Sequence, residues 1–321
     1  MKDLRRGGRR WWRHRSTAGW RTALVAEADR LDADLEQIPP DGSVNREIAQ
    51  RAIDRMRTSA DPPGGMFERF MDWLGGAQVD RGWSARNLAR SALLSLSADA
   101  ALAAQIPSVR HAVLKHVDAD DLQRDAFLRE LDVLEAGGPP FDDRARLRLR
   151  AIRDAADRAA DVGQRAVRRF RNLLLLTAFV LALALLGLAL AHAFDPGVTS
   201  VCGPRSLGPD RCIAGAKPAA MDIAAVEALG LVGGLIAALI PLARTRRADG
   251  PYSLWGAQIA LKAAAGGATG LVGLLALQSG LVLGLSPQPG PSALAYAALF
   301  GALQHVFTRF VDIKAAELAA A

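Results

Sequence analysis

The chain has 321 residues, half of them hydrophobic, with 40 Lys/Arg, 33 Asp/Glu and two cysteines, a length that suggests about two domains. Nine of the basic and seven of the acidic residues follow Asn172, so residues 1–172 carry a net charge of +5 and residues 173–321 carry +2. Four apolar stretches lie in the second part and none long enough to cross a bilayer lies in the first, which excludes a wholly soluble protein and divides the chain into a water-soluble front and a membrane-embedded rear.

Residues 1–15 form a basic arm. Lys2, Arg5, Arg6, Arg9, Arg10, Arg13 and Arg15 oppose Asp3 alone, and Trp11 and Trp12 sit among them. Each Lys or Arg near an anionic lipid surface contributes about 1 kcal/mol, and Trp favours the headgroup zone. The expected partner is therefore the bilayer and its anionic headgroups, ahead of nucleic acid; a disordered tail that merely sets topology is the plainer alternative. The arm is followed by a charged segment instead of an apolar signal core, so the first membrane helix is expected to direct insertion.

Residues 16–141 read as an all-α cytoplasmic domain punctuated by Pro39-Pro40, Asp61-Pro-Pro-Gly-Gly65, Gly75-Gly76 and Gly137-Gly-Pro-Pro140. Helices are predicted near Ser16–Gln37, Ser43–Ser59, Met66–Leu74, Ser84–Gln105, Ser108–His116 and Asp120–Glu135. Trp20, Trp73 and Trp83 are expected as core anchors. From Asp142 onward Ile152, Ala155, Ala159, Val162, Ala166 and Phe170 recur at spacings of three and four. This predicts a stalk, residues 142–172, continuous with the first span, packing its Ala-rich stripe on the rest of the domain or on a second copy. The packing within the chain is favoured, because three Ala-rich heptads make a weak coiled coil. A rigid helix of this kind would transmit movement of the domain to the membrane.

The bundle, residues 173–312, is predicted to contain spans at about 173–194, 223–243, 263–285 and 292–311, with an interfacial start to the third near Trp255 and a cytoplasmic tail at residues 313–321. The fourth is the weakest and is open to a re-entrant reading. Eleven Lys/Arg flank the spans on the side of the soluble half, against Arg205, Arg211 and Lys217 on the other. By the positive-inside rule both termini are cytoplasmic and the protein is a multi-pass plasma-membrane protein. Cys202 and Cys212 share the first outer loop, where an oxidising compartment favours a disulfide worth about 3 kcal/mol in the entropic account.

Ionisable residues inside spans are costly and call for a reason. Glu227 lies about one turn below the outer boundary, at a depth like that of His192. It is expected either to pair with His192 or, in an oligomer, to form a cation-attracting ring; pairing is the simpler. Lys262 is placed at the cytoplasmic face, about 30 Å of hydrocarbon away from Glu227 and level with Gln304, His305, Arg309 and Asp312. A Lys262–Asp312 clamp with Gln304 nearby is expected there, with a gate, a phosphate-recognition patch or snorkelling of Lys262 to water as alternatives. The patterns Gly230-x-x-x-Gly234, Gly266-x-x-x-Gly270 and Gly280-x-x-x-Gly284 suit close helix packing.

No P-loop, dinucleotide fingerprint or Cys/His metal spacing occurs, so no cofactor or metal is expected. Ser279 and His305 suggest an intramembrane protease, but their expected depths, about 9 and 18 Å from the outer boundary at 1.5 Å per residue, do not match. A non-enzymatic protein is expected.

Trp73-Leu-Gly-Gly-Ala-Gln-Val-Asp-Arg-Gly-Trp83, Arg168-Arg-Phe-Arg-Asn172, Val226-Glu227-Ala-Leu-Gly-Leu-Val-Gly-Gly234, Pro251-Tyr252, Leu261-Lys262 and the segment Ala295–Asp312 resemble a group of uncharacterised actinobacterial integral membrane proteins. His305 departs from the second glutamine associated with that place. The resemblance implies a helical cytoplasmic N-terminal domain and a C-terminal four-helix membrane bundle, and brings no activity with it. Two functions follow from the sequence: a membrane-anchored sensor or adaptor with a cytoplasmic protein partner, or an oligomeric ion channel or pore-forming effector gated by the cytoplasmic domain. No span has a continuous polar stripe, which favours the first.

Overall fold

A computed structural model describes residues 19–40, 43–61, 65, 75–196, 219–242, 254–278, 291–305, 309 and 312–313. The basic arm, Trp73, and Cys202 and Cys212 with their loop lie outside the described residues. Every described element is a helix: α1 Gly19–Glu36, α2 Val44–Ala60, α3 Ala77–Leu96, α4 Asp99–His116, α5 Leu122–Gly137, α6 Asp143–Phe194, α7 Asp222–Leu242, α8 Trp255–Gln278 and α9 Pro291–Leu303. The chain separates into two compact units, the boundary falling between Arg165 and Ala166.

In the first unit, Leu24, Ala28, Leu31 and Leu35 recur along one face of α1 at the helical period and meet Ile53 and Met56 of α2 and Ala85, Ala89 and Ala92 of α3. Small residues on α3 let the helices approach: a Cβ added at Gly82 would collide with Leu24 Cδ2. Ser43 starts α2 by accepting from the Arg46 backbone N–H at 3.3 Å, and Asp121 starts α5 by accepting from that of Gln123 at 2.8 Å. A second cluster joins Leu102, Ile106 and Val113 of α4 with Leu131 of α5 and Leu149, Ile152 and Ala156 of α6. The stalk therefore packs within the chain over this stretch, although Val162 is 63% exposed.

The break between α3 and α4 falls at Ser97-Ala98, and α4 continues through Pro107, where the sequence had predicted an ending. A proline inside a helix forfeits one backbone hydrogen bond, about 3 kcal/mol, yet Ile106 and Val109 on either side are buried in the second cluster. The break instead marks the change of core: Leu93 belongs to the first cluster and Leu94 to the second. Arg146 fixes it by donating to the Ser97 carbonyl at 2.6 Å and pairing with Asp99. Trp20 packs partly buried against the first cluster; Trp83 belongs to neither cluster and carries the Arg86 guanidinium over its ring, 4.5 Å from the centroid.

α6 is one unbroken helix of 52 residues, as the stalk periodicity predicts, about 78 Å long at 1.5 Å per residue. Among the described residues three helices are long and apolar enough to cross a membrane: α6, α7 over Asp222–Ile240, and α8 over Trp255–Leu277. Regular helix at the third begins at Trp255, where its interfacial start is expected. The described part of the fourth apolar helix, α9, has 13 residues, about 20 Å, against the roughly 30 Å of a hydrocarbon core.

In the second unit α7 and α8 run antiparallel and α9 packs on both. Glycine is the reason they come so close: an added Cβ at Gly230 would lie 2.6 Å from the Gly266 carbonyl oxygen, one at Gly266 would lie 2.7 Å from Gly234 Cα, and one at Gly270 would lie 2.9 Å from the Ala297 oxygen. At Gly233 and Gly301 it would overlap the carbonyl oxygens of Ala298 and Gly230. This is the small-residue packing of membrane helices, where close backbone approach replaces the hydrophobic effect as the source of cohesion. Ile223, Val226, Leu271 and Leu274 fill one end of the bundle, together with Leu188 of α6. Leu174 and Ala178 of α6 pack with Ala257 and Leu261 of α8 at the other.

Candidate functional site

Besides Arg171, the buried polar residues described in the second unit form two groups. At the start of α7, the Asp222 carboxylate accepts from the Ala219 backbone N–H at 3.0 Å, satisfying the chain where it enters the helix, and is 2% exposed. The Ala219 carbonyl lies 3.1 Å from His192 Nε2. Since a carbonyl can only accept, Nε2 is the protonated nitrogen of this fully buried ring. The expected His192–Glu227 pair is not formed. His192 answers to the backbone of the neighbouring loop end, and Glu227, 8% exposed, has an Oε1 without a hydrogen-bond partner.

The second group centres on Lys262, which is 5% exposed. Its Nζ lies 2.8 Å from each oxygen of Asp312, the clamp anticipated from the sequence. Gln304 is fully buried, while His305 and Arg309 are exposed, with His305 Nδ1 2.9 Å from the Ala302 carbonyl of its own helix. Of the five residues grouped by depth, three are thus enclosed or paired and two turn outward. Ser279 lies outside the described residues.

The separation of these two groups also differs from expectation. Because α8 begins at Trp255, Lys262 is its eighth residue, about two turns into the helix. Its backbone packs against Gly234, and Glu227 packs against Gly267. Seven residues of α7 separate those levels, about 10 Å at 1.5 Å per residue, in place of 30 Å. The charges still do not meet. Side chains tilt toward the N-terminus of their own helix, so in antiparallel helices Glu227 and Lys262 lean away from each other, and the backbones at Gly230, Gly234 and Gly266 close the seam between them.

Sequence reasoning missed two groups. Asp222 was legible as a helix start, an acid immediately before a long apolar run. Thr269 donates to the Ala265 carbonyl at 2.9 Å and lies 3.3 Å from the Phe300 carbonyl, a cross-helix role that spacing does not reveal.

The first unit holds a denser charge network. Arg90 donates through Nε to Glu27 at 2.8 Å, and Arg86 stands 3.7 Å away from the same carboxylate. Burial pushes the Glu27 carboxyl up, but Arg90, through its charge and hydrogen bond, and then Arg86 and Arg30 outweigh it and hold it below the usual range. Burial and the like charge of Arg90 bring the Arg86 guanidinium down to about 10. No group of three or more His, Cys, Asp or Glu able to hold a metal ion occurs among the described residues. Comparison with protein-family models, curated proteins and solved structures finds no match to this chain.

Proposed function

We infer that this is a non-enzymatic plasma-membrane protein whose apolar bundle anchors a helical domain at the cytoplasmic surface, where that domain acts as a sensor or adaptor for a protein partner. The observation that carries the reading is the glycine seam. Backbones at Gly230, Gly266, Gly233 and Gly301 touch so closely that a single methyl group would not fit, which speaks against an axial water path through the described stretches of α7, α8 and α9 at that level. Cytoplasmic placement of both termini follows from the excess of Lys/Arg on the side of the helical domain, and the basic arm adds attachment to anionic lipid. By the same rule the loop that carries Cys202 and Cys212 belongs outside.

A second reading is favoured by one feature. Glu227 is buried with Oε1 unpartnered, and Leu176, Phe179, Val180 and Leu183 of α6 expose half or more of their surface, so several copies could gather around α6 and line a pore with Glu227 as a cation-attracting ring. Single-channel recording of the purified protein in planar bilayers separates the two. The anchor reading expects no current from the wild type or from Glu227→Gln; unitary currents whose cation selectivity drops in Glu227→Gln would establish the channel instead.

A further inference from the structure

The first unit contains a cleft of about 510 Å³, within the 300–1,000 Å³ range of small-molecule sites. Its walls come from α1, α3, α4 and α6, and its lining includes Leu93 of the first hydrophobic cluster and Leu94 of the second. It therefore opens where the core changes hands.

Three arginines, Arg30, Arg90 and Arg153, line it with two carboxylates, Glu27 and Asp34, so guanidiniums outnumber carboxylates in the wall itself, Asp157 standing behind Arg153. The guanidiniums also have donors to spare. Arg153 uses Nε to bind Asp157 at 3.0 Å, and each of these side chains is 11% exposed, so the pair holds the guanidinium in place. Nη1 and Nη2 of Arg153 make no hydrogen bond to the protein among the described residues. Arg90 spends Nε and Nη2 on one oxygen of Glu27 and keeps Nη1. A guanidinium with free, fixed donors matches the paired oxygens of a carboxylate or phosphate.

The start of α4 adds to this. Ala98, its N-cap, supplies no side-chain hydrogen bond, and Ala98 and Ala101 belong to the wall. The N–H groups of a first helical turn have no partner inside the helix and carry the positive end of its dipole. Gln105, on the same wall, offers an amide for the neutral part of a ligand.

We propose that this cleft binds a small organic oxyanion, a carboxylate or a phosphate ester, held by Arg153 and Arg90 beside the first turn of α4. The site would give the sensing domain of the proposed function its ligand class, and it rests on that reading only for its biological meaning. Its test is hydrogen exchange read by mass spectrometry on the full chain in lipid nanodiscs, titrated with citrate and with glucose 6-phosphate, with glucose and sodium chloride at matched ionic strength as controls. At least one oxyanion should slow exchange in the first turn of α4 saturably, where the controls do not. Arg153→Lys, which keeps the charge beside Asp157 and loses the two-pronged donor, should raise the half-saturating concentration about tenfold. Arg51→Gln, on the exposed face of α2, should leave it unchanged and shows that the domain still folds without one surface arginine. Absence of slowing by both oxyanions, an unchanged titration in Arg153→Lys, or an equal weakening in Arg51→Gln would each overturn the site. Currents in the bilayer recording would refute the anchor and leave this titration standing; a flat titration would refute the site and leave the recording's outcome untouched.

Discussion

Replacing Gly266 by Ala tests whether backbone proximity holds the membrane bundle together. The new Cβ would sit 2.6 Å from the Gly230 carbonyl oxygen and 2.7 Å from Gly234 Cα, whereas unstrained carbon contacts lie at about 3.5–4.0 Å. Neither neighbour is a flexible side chain that can turn aside, so α7 and α8 must part by about 1 Å, and a gap of about 0.5–1 Å forfeits a quarter to a half of the dispersion energy of each pair it separates. Overpacking of this kind costs about 1–3 kcal/mol. Reversible unfolding of the full chain by dodecyl sulfate in lipid micelles, followed by tryptophan fluorescence, should show that loss for Gly266→Ala. Gly256→Ala in the same helix, where nothing lies within 4 Å of the added atom, should stay within about 0.5 kcal/mol of the wild type. Equal stability of Gly266→Ala and wild type, or equal damage by the two substitutions, would refute the seam as the source of cohesion.

The Glu27 carboxyl, held below its ordinary value once Arg90, Arg86 and Arg30 outweigh burial, stabilises the helical domain fully above the unfolded glutamate value of about 4.3, and that contribution disappears as pH falls through the folded value. Glu27→Gln should cost about 1.5–3 kcal/mol at neutral pH, the range for hydrogen bonds to charged groups, and should flatten the acid limb of denaturation measured by circular dichroism; a mutant limb as steep as that of the wild type would show that other carboxylates govern it. Gly163 lies inside α6 with open space around its missing Cβ, so Gly163→Ala should stabilise the domain by about 0.5–1 kcal/mol, read as a higher midpoint in thermal or urea unfolding. A lowered midpoint would mean that α6 needs flexibility at this position.

Much of this architecture is written locally. The face of α1 from Leu24 to Leu35, the N-caps Ser43 and Asp121, and the stalk spacing from Ile152 to Phe170 that runs into the apolar stretch ending at Phe194 each depend on residues within a few turns of one another, and the sequence declares them locally. The Lys262–Asp312 pair was legible too, because an ammonium set among apolar helices calls for an opposite charge within reach. Tertiary structure decided the rest. The end of α3 at Leu96 and the passage of α4 through Pro107 follow from which core each turn joins, an energy of packing that outweighs the local cost of proline. His192 took the Ala219 carbonyl instead of Glu227, and Lys262 sits about 10 Å along the seam from Glu227's level, because hydrogen bonds and depth are fixed by where α7 and α8 start and by how glycine lets their backbones meet. Those are distances between segments far apart in the chain, which no residue spacing encodes.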